Sequence, residues 1–194
     1  SIITCPFGKI IFPYTTDNMF IKEPLLDFVP SHQVIFSSRP DRNLHSLLDV
    51  WNKKISHRCP TVKLMINPPY ELTKNDKNVV VRNLDNQKIL LNDLKNSRAM
   101  LIPGHKAELF CMAAEEANQM CVPIVTYGIG CLPERVIDGV TGYIAKDAVE
   151  FAKYSLDLIN DDSVWLKMRN NLLKYRGKRT WDIAAQDLLK ILSK

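Results

Sequence analysis

The stretch E-L-F-C-M-A-A-E-E-A-N-Q-M-C-V-P-I-V-T (108–126) decides how the chain folds. Its first part, 108–120, is rich in Ala, Met and Glu, all good helix formers, and predicts a helix. Its end, Pro123–Thr126, is a short apolar run and predicts a buried strand. Gly128 and Gly130 stand just beyond, where a chain leaving a strand can turn tightly or approach a ligand closely. A helix that feeds a buried strand is half of a βαβ unit.

The same alternation continues in both directions. Upstream, Ala99–Ile102 predicts a strand closed by Pro103-Gly104, with strands also at Val34–Phe36, Val62–Ile66 and Val79–Val81. Between them, Leu44, Leu47, Leu48 and Trp51 repeat with helical spacing, and Ile89–Leu94 predicts a short helix. Asp41 is placed to cap the helix that holds Leu44. Downstream, Pro133–Ile137 predicts a short helix with proline in its first turn. A short strand follows at Tyr143–Ile144, and then helices at 147–160, 162–175 and 180–192. Short strands alternating with helices imply an α/β, Rossmann-like parallel sheet with helices on both faces. In such sheets ligands bind beyond the carboxyl ends of the strands. Residues 1–33 show no sustained periodicity and read as an irregular linker or a partial N-terminal segment. The domain proper then runs from 34 to 194.

Composition agrees with one globular domain. The chain has 194 residues, 46% of them hydrophobic and 24% charged, which excludes extensive disorder and fibrous classes. No apolar run approaches the ~18 residues of a spanning helix. Cys5, Cys59, Cys111, Cys121 and Cys131 are odd in number and lack C-x-x-C spacing. They read as reduced thiols of a cytoplasmic protein rather than a disulfide scaffold or a zinc site. The net charge of +5 suits an anionic small ligand, or peripheral attachment to an anionic membrane surface. The run K-Y-R-G-K-R (174–179) reads as a solvated face. No basic stripe is interleaved with aromatics, so nucleic acid is not an expected partner.

Three segments concentrate the chemistry. F-S-S-R-P-D-R-N-L (36–44) lies between a strand and a helix, and Arg39 and Arg42 there suit bidentate contact with phosphate. P-G-H-K-A-E-L-F-C-M-A-A-E-E-A (103–117) carries His105, Lys106, Glu108 and Glu116. If both glutamates are helical, eight positions put them about 12 Å apart, the reach from a sugar to a ribose. Glu115 and Glu116 are adjacent, so only one faces a cleft easily. The third segment, T-Y-G-I-G-C-L-P-E (126–134), lacks the last glycine of a dinucleotide fingerprint, and no G-x-x-x-x-G-K-[ST] loop occurs. Each segment also fits a plainer role as capping residue, solvated carboxylate or turn.

Together the three segments resemble the nucleotide-binding half of retaining GT-B glycosyltransferases of family 4. The likeness runs from about Val34 to Leu192. E-L-F-C-M-A-A-E-E-A (108–117) is similar to that family's E-x7-E motif, and G-C-L-P-E-R-V-I-D-G-V-T-G-Y (130–143) to its G-G-x-P-E-x-V-x-D-G-x-T-G-x. The resemblance implies a nucleotide-diphosphate sugar, UDP- or GDP-linked, as donor, and no obligatory metal or other cofactor. Glu108 is then expected on the donor sugar's hydroxyls and Glu116 on the ribose. Leu109 and Phe110 present backbone to the diphosphate. Arg42 stands in the place of the family's phosphate-binding lysine, with Arg39 as its partner and Lys106 able to approach. The segment Val81–Leu84, with Arg82 and Leu84, borders the base. Gly130 and Leu132 line the sugar side.

The acceptor in this family is held by a separate N-terminal domain, which residues 1–33 cannot supply. The resemblance thus implies a donor-binding half, with a non-catalytic nucleotide-sugar module as the alternative. Several positions depart from the family's glycines: Asn43, Leu109, Cys111, Cys121 and Cys131 stand where glycine is usual.

Overall fold

The computed structural model describes residues 2–5, 8–11, 14–66, 69–82 and 86–193. Six strands form one parallel sheet: β3 (Gln33–Phe36), β4 (Lys63–Ile66), β5 (Val79–Val81), β6 (Ala99–Leu101), β7 (Ile124–Thr126) and β8 (Gly142–Ile144). Their spatial order is β5-β4-β3-β6-β7-β8, and every adjacent pair is parallel. The central strands are apolar without alternation because both faces are covered. Val34, Ile35, Phe36, Met100, Leu101, Ile124 and Val125 are all fully buried. Such a sheet needs helices on both sides, and α2 (Leu44–Val50), α3 (Gln87–Lys95), α4 (Met112–Gln119), α5 (Ala148–Asn160), α6 (Asp162–Leu173) and α7 (Trp181–Leu192) supply them. The Rossmann-like reading of the sequence therefore holds.

The helix starts are set by side-chain caps where the sequence offers them. Asn86, Asp147, Asp161 and Thr180 accept backbone N–H bonds at the starts of α3, α5, α6 and α7. Asp41 does not cap α2 as expected. Its carboxylate pairs with Arg39 at 2.9 Å, and Asn43 takes the cap position with a left-handed backbone. Trp51 continues α2 into a π-helical turn, Trp51–Ile55, and its indole N–H donates to the Lys77 carbonyl at 2.8 Å.

The described residues among the first 33 form local structure of their own. They carry an antiparallel pair, β1 (Ile2–Cys5) and β2 (Gly8–Ile11), and a short helix, α1 (Asn18–Lys22). Phe20 of α1 is fully buried in the common core. Glu23, just after the helix, pairs with Lys95 at 2.8 Å. The Arg176 guanidinium donates to the carbonyls of Phe20 and Glu23. One buried residue in a five-residue helix leaves no period to detect, so tertiary contacts rather than local pattern order this segment.

The turn from α4 into β7 is a Schellman motif. Val122 N–H reaches the Ala117 carbonyl at 2.8 Å, and Cys121 N–H reaches Asn118 at 3.0 Å. The left-handed position between them, usually glycine, is Cys121 at φ 55. Cys59, Cys111, Cys121 and Cys131 are free and buried; the side chain of Cys5 lies outside the described residues. Among the described residues no helix is long and apolar enough to cross a membrane.

Two glycines separate crowding from backbone strain. At Gly142 an added Cβ would lie 2.2 Å from the Ile124 carbonyl oxygen, inside the β7–β8 ladder. At Gly139 the φ is +70 and the space is open. Gly139→Ala is expected to cost about 1 kcal/mol, from left-handed strain alone. Gly142→Ala is expected to cost about 3 kcal/mol, because backbone must move. Denaturant unfolding of both variants checks the order, and equal costs would contradict it.

Candidate functional site

The strand order reverses between β3 and β6. Chain leaving β3 winds to one side of the sheet and chain leaving β6 to the other, so their carboxyl-end loops part and leave a crevice. The loop after β3 is Ser37–Asn43, and the loop after β6 runs through Gly104 to Cys111. A cavity of about 520 Å³ lies between them. Its walls include Ser37, Ser38, Arg39 and Arg42 from one loop, and Glu108, Leu109 and Phe110 from the other. The start of α4, with Cys111, Met112 and Ala113, and then Glu116 close it. Six residues singled out from the sequence thus meet at one place.

Glu108 reaches that place by a different route from the one expected. It is not helical, because α4 begins only at Met112. Cys111 breaks the helix with φ 58, so the 12 Å helical spacing to Glu116 does not apply. Instead Glu108 sits in a turn, its N–H bonded to the His105 carbonyl at 2.9 Å and its carbonyl accepting from Cys131 N–H at 3.1 Å. The N-terminal end of α4 therefore opens toward the cavity, with its first N–H groups and the positive end of its dipole.

The charged groups are arranged in pairs. Arg42 and Glu108 lie 3.5 Å apart, both largely buried, and the Oε2 of Glu108 has no hydrogen-bond partner. Arg42 Nη1 also lies 2.9 Å from His105 Nδ1. Arg39 is exposed and held only by Asp41. The Ser37 hydroxyl is buried beside them and has no partner. An orphaned hydroxyl, a guanidinium and a helix start at one crevice form a natural anion site. Glu116 is different: burial pushes its carboxyl up to about 7. Glu115 points elsewhere, pairing with Arg135 at 3.6 Å and accepting from Gln119 at 2.9 Å. It lines a second cavity of about 260 Å³ together with Glu134 and Tyr175. The adjacent glutamates thus face different cavities.

Other expected residues stand apart from the cavity. Leu132 is fully buried, so its side chain packs in the core and is not among the residues that line the cavity. Gly130 supports the site from behind. Its φ is +72, and an added Cβ would come within 2.5 Å of the His105 carbonyl oxygen and 2.9 Å of that of Glu108. Lys106 is exposed and is not among the residues that line the cavity. The Arg82 side chain is buried and paired with Asp93 at 3.0 Å, while Leu84 lies outside the described residues. Cys111 touches the cavity, but burial pushes its thiol up to about 12, which removes it as a nucleophile at neutral pH. Among the described residues no three His, Cys, Asp or Glu side chains converge to hold a metal ion. Sequence reading missed the pairing of His105 with Arg42 and the support role of Gly130. Neither has a local signal, since both depend on contacts between distant loops.

The family model for glycosyl transferases group 1 matches residues 65–179, more than half of the chain. The match begins inside β4, so the arginine loop Ser37–Asn43 lies outside it. No curated protein sequence matches. Among solved structures, the chain is similar to a TarM variant from S. aureus in complex with fondaparinux, alpha-GlcNAc-glycerol and UDP. That likeness has 16% identity and a TM-score of 0.68, and covers 89% of this chain and 38% of TarM. HepE from Anabaena, in complex with UDP and glucose, is 18% identical over 84% of this chain and 48% of its own, with a TM-score of 0.68. The C-terminal domain of a glycosyl transferase group 1 family protein (LpcC) from Francisella tularensis is covered to 96%. There the identity is 16% over 86% of this chain, with a TM-score of 0.61. The chain therefore spans less than half of TarM and HepE and nearly all of an isolated C-terminal domain, with the sheet and helices of one half of a GT-B fold. With the family match across its motif region, it belongs to the glycosyl transferases group 1 family.

Proposed function

We propose that this chain is the donor-binding half of a retaining glycosyltransferase of family 4, using a UDP- or GDP-linked sugar. The observation that carries the reading is the meeting of Arg42, Glu108, Glu116 and the start of α4 around one crevice at the strand-order reversal. Arg42, Arg39 and the first N–H groups of α4 take the diphosphate. Each charge-assisted hydrogen bond there contributes about 1.5–3 kcal/mol. The same groups offset the negative charge that grows on the departing diphosphate, which is the main electrostatic demand of the transfer. No step is assigned to a metal. Glu116 accepts from the ribose hydroxyls, and Glu108 leaves its pairing with Arg42 for the hydroxyls of the donor sugar. The base lies toward the end of β5, near Arg82. The acceptor is bound across the cleft by an N-terminal domain outside this chain. Cytoplasmic placement, with the +5 charge favouring an anionic membrane surface, suits such an enzyme. A non-catalytic nucleotide-sugar module is the second reading, favoured by the Arg42–Glu108 pair, which occupies two of the groups that catalysis needs.

Calorimetric titration with UDP-, GDP- and ADP-sugars tests the reading. Binding of a UDP- or GDP-sugar is expected, and Glu116→Ala should weaken it about tenfold through loss of charge-assisted hydrogen bonds. Equal binding by the variant would remove Glu116 from the ribose. Binding to no nucleotide sugar would contradict the donor site as a whole, and binding without turnover in the full-length protein would favour the second reading.

The raised carboxyl of Glu116 gives two further expectations. Ribose hydroxyls donate to the charged carboxylate, so affinity for UDP-glucose should rise from pH 6 to pH 8. Glu116→Gln should flatten that rise. A sugar-blocked diphosphate is the right probe, because it exchanges no proton in this range. Stability runs the other way. The folded state holds the Glu116 proton up to about pH 7, while an unfolded glutamate releases it near 4.5. Stability from this group is full below pH 4.5 and is lost as pH rises through 7. Without ligand, Glu116→Gln should therefore be more stable than wild type at pH 8 by about 1–2 kcal/mol, after allowance for partial exposure. The gap should narrow as pH falls and close below pH 4.5 in denaturant melts.

A further inference from the structure

A long basic side chain on a loop loses rotamer entropy when it is fixed. Something must therefore hold a guanidinium that is to meet an anion in one geometry. Arg39 is not held this way: it is 69% exposed and bound only to Asp41 of its own loop. Arg42 is, with a side chain only 16% exposed. Two acceptors from the loop after β6 reach it, His105 Nδ1 at 2.9 Å from Nη1 and Glu108 Oε2 at 3.5 Å from Nε. The glutamate contact is the looser one, and it relaxes if Glu108 turns to a ligand hydroxyl. The histidine contact does not depend on that turn.

His105 Nδ1 also accepts the Ala107 N–H at 3.1 Å. A ring nitrogen that faces two donors carries no proton. The geometry thus selects the tautomer with its hydrogen on Nε2. One nitrogen then ties together the turn that presents Glu108 and the side chain of Arg42. We propose that His105 is the positioning residue for Arg42: its unprotonated Nδ1 sets the guanidinium for a nucleoside diphosphate. This role rests on the donor-site reading of Arg42. His105 is not among the residues that line the cavity and acts through the arginine.

The test is titration of UDP and GDP into the wild-type chain and into His105→Ala, His105→Asn and His105→Gln, with thermal melts of each. Asparagine carries an acceptor oxygen near the place of Nδ1, and glutamine carries one near Nε2. The Ala and Gln variants are expected to bind about tenfold more weakly, the size of one lost charge-assisted hydrogen bond. Asn should restore affinity to within about threefold, a margin below 1 kcal/mol, at a melting temperature like that of Gln. Equal affinities for Asn and Gln, or wild-type affinity in Ala, overturn the role of His105 and leave the donor site standing. A wild-type chain that binds neither nucleotide overturns the donor-site reading, and this role with it. If the Ala variant does not fold, the Asn and Gln pair decides. A ligand-free check is the ¹⁵N spectrum of the His105 ring at neutral pH: the Nε2–H tautomer is expected, and the Nδ1–H tautomer overturns the proposal.

Discussion

Two consecutive residues on one side of the strand-order reversal bond to two consecutive residues on the other. Arg42 meets His105, and the Asn43 amide donates to the Gly104 carbonyl. A doubly wound sheet splits its connections at this point, so nothing in the β-ladder itself holds the two loops in register. The side-chain ties do. They fix the width of the crevice and the placement of the α4 start behind it. A bridge between Gly104 and Ile129 then hands the same position on to the loop after β7, where Gly130 packs against the backbone of His105 and Glu108. If the Asn43 and Arg42 ties were lost, the sheet would survive while the crevice lost its shape.

Asn43, Cys111 and Cys121 are not glycine, yet all three keep a left-handed backbone, with φ of 66, 58 and 55. The backbone path is one that glycine would make easy, and here other residues follow it. Left-handed conformations cost a non-glycine residue about 1–2 kcal/mol. Local contacts offset that cost. Asn43 tolerates the conformation better than most and gains an inter-loop hydrogen bond that glycine cannot make. Cys121 is 1% exposed and packs beside a Schellman turn whose apolar pair, Ala117 and Val122, is itself buried. Cys111 fills space at the start of α4 and makes no side-chain cap.

Most of the strands could be read from sequence to within a residue, because a fully buried parallel strand is a short apolar run bounded by turn residues. Val79–Val81 is an example. The starts of α5 and α6 were equally plain, since the helices read over 147–160 and 162–175 begin within a residue of Ala148 and Asp162. The failures share a cause. The helix expected over 108–120 starts four residues late, because its break at Cys111 is a backbone conformation that glycine would have announced and cysteine does not. Leu132 read as a lining residue from its motif position, but which face of a three-residue 3-10 turn is buried depends on packing from elsewhere. The order of residues 14–33 comes from Phe20, Glu23 and their contacts with Lys95 and Arg176, all far away in sequence. At the site, the residue types were legible and their pairing was not. Adjacent Glu115 and Glu116 could be told apart in principle, but only the fold shows which faces the crevice.

The burial of the thiols bears on how this chain can be followed as it moves. Cys59 lies past the π-helical turn, Cys111 and Cys121 bracket α4, and Cys131 precedes the 3-10 turn beside Gly130. All four are shielded, and burial raises the Cys111, Cys121 and Cys131 thiols above their ordinary range. At neutral pH an alkylating reagent therefore meets them only after the surrounding structure has opened. Labelling at each position becomes a clock for one region: the crevice at Cys111 and Cys131, the helix-to-strand turn at Cys121, and the far end of α2 at Cys59. The buried cysteines thus make local opening of the fold chemically readable without any engineered probe.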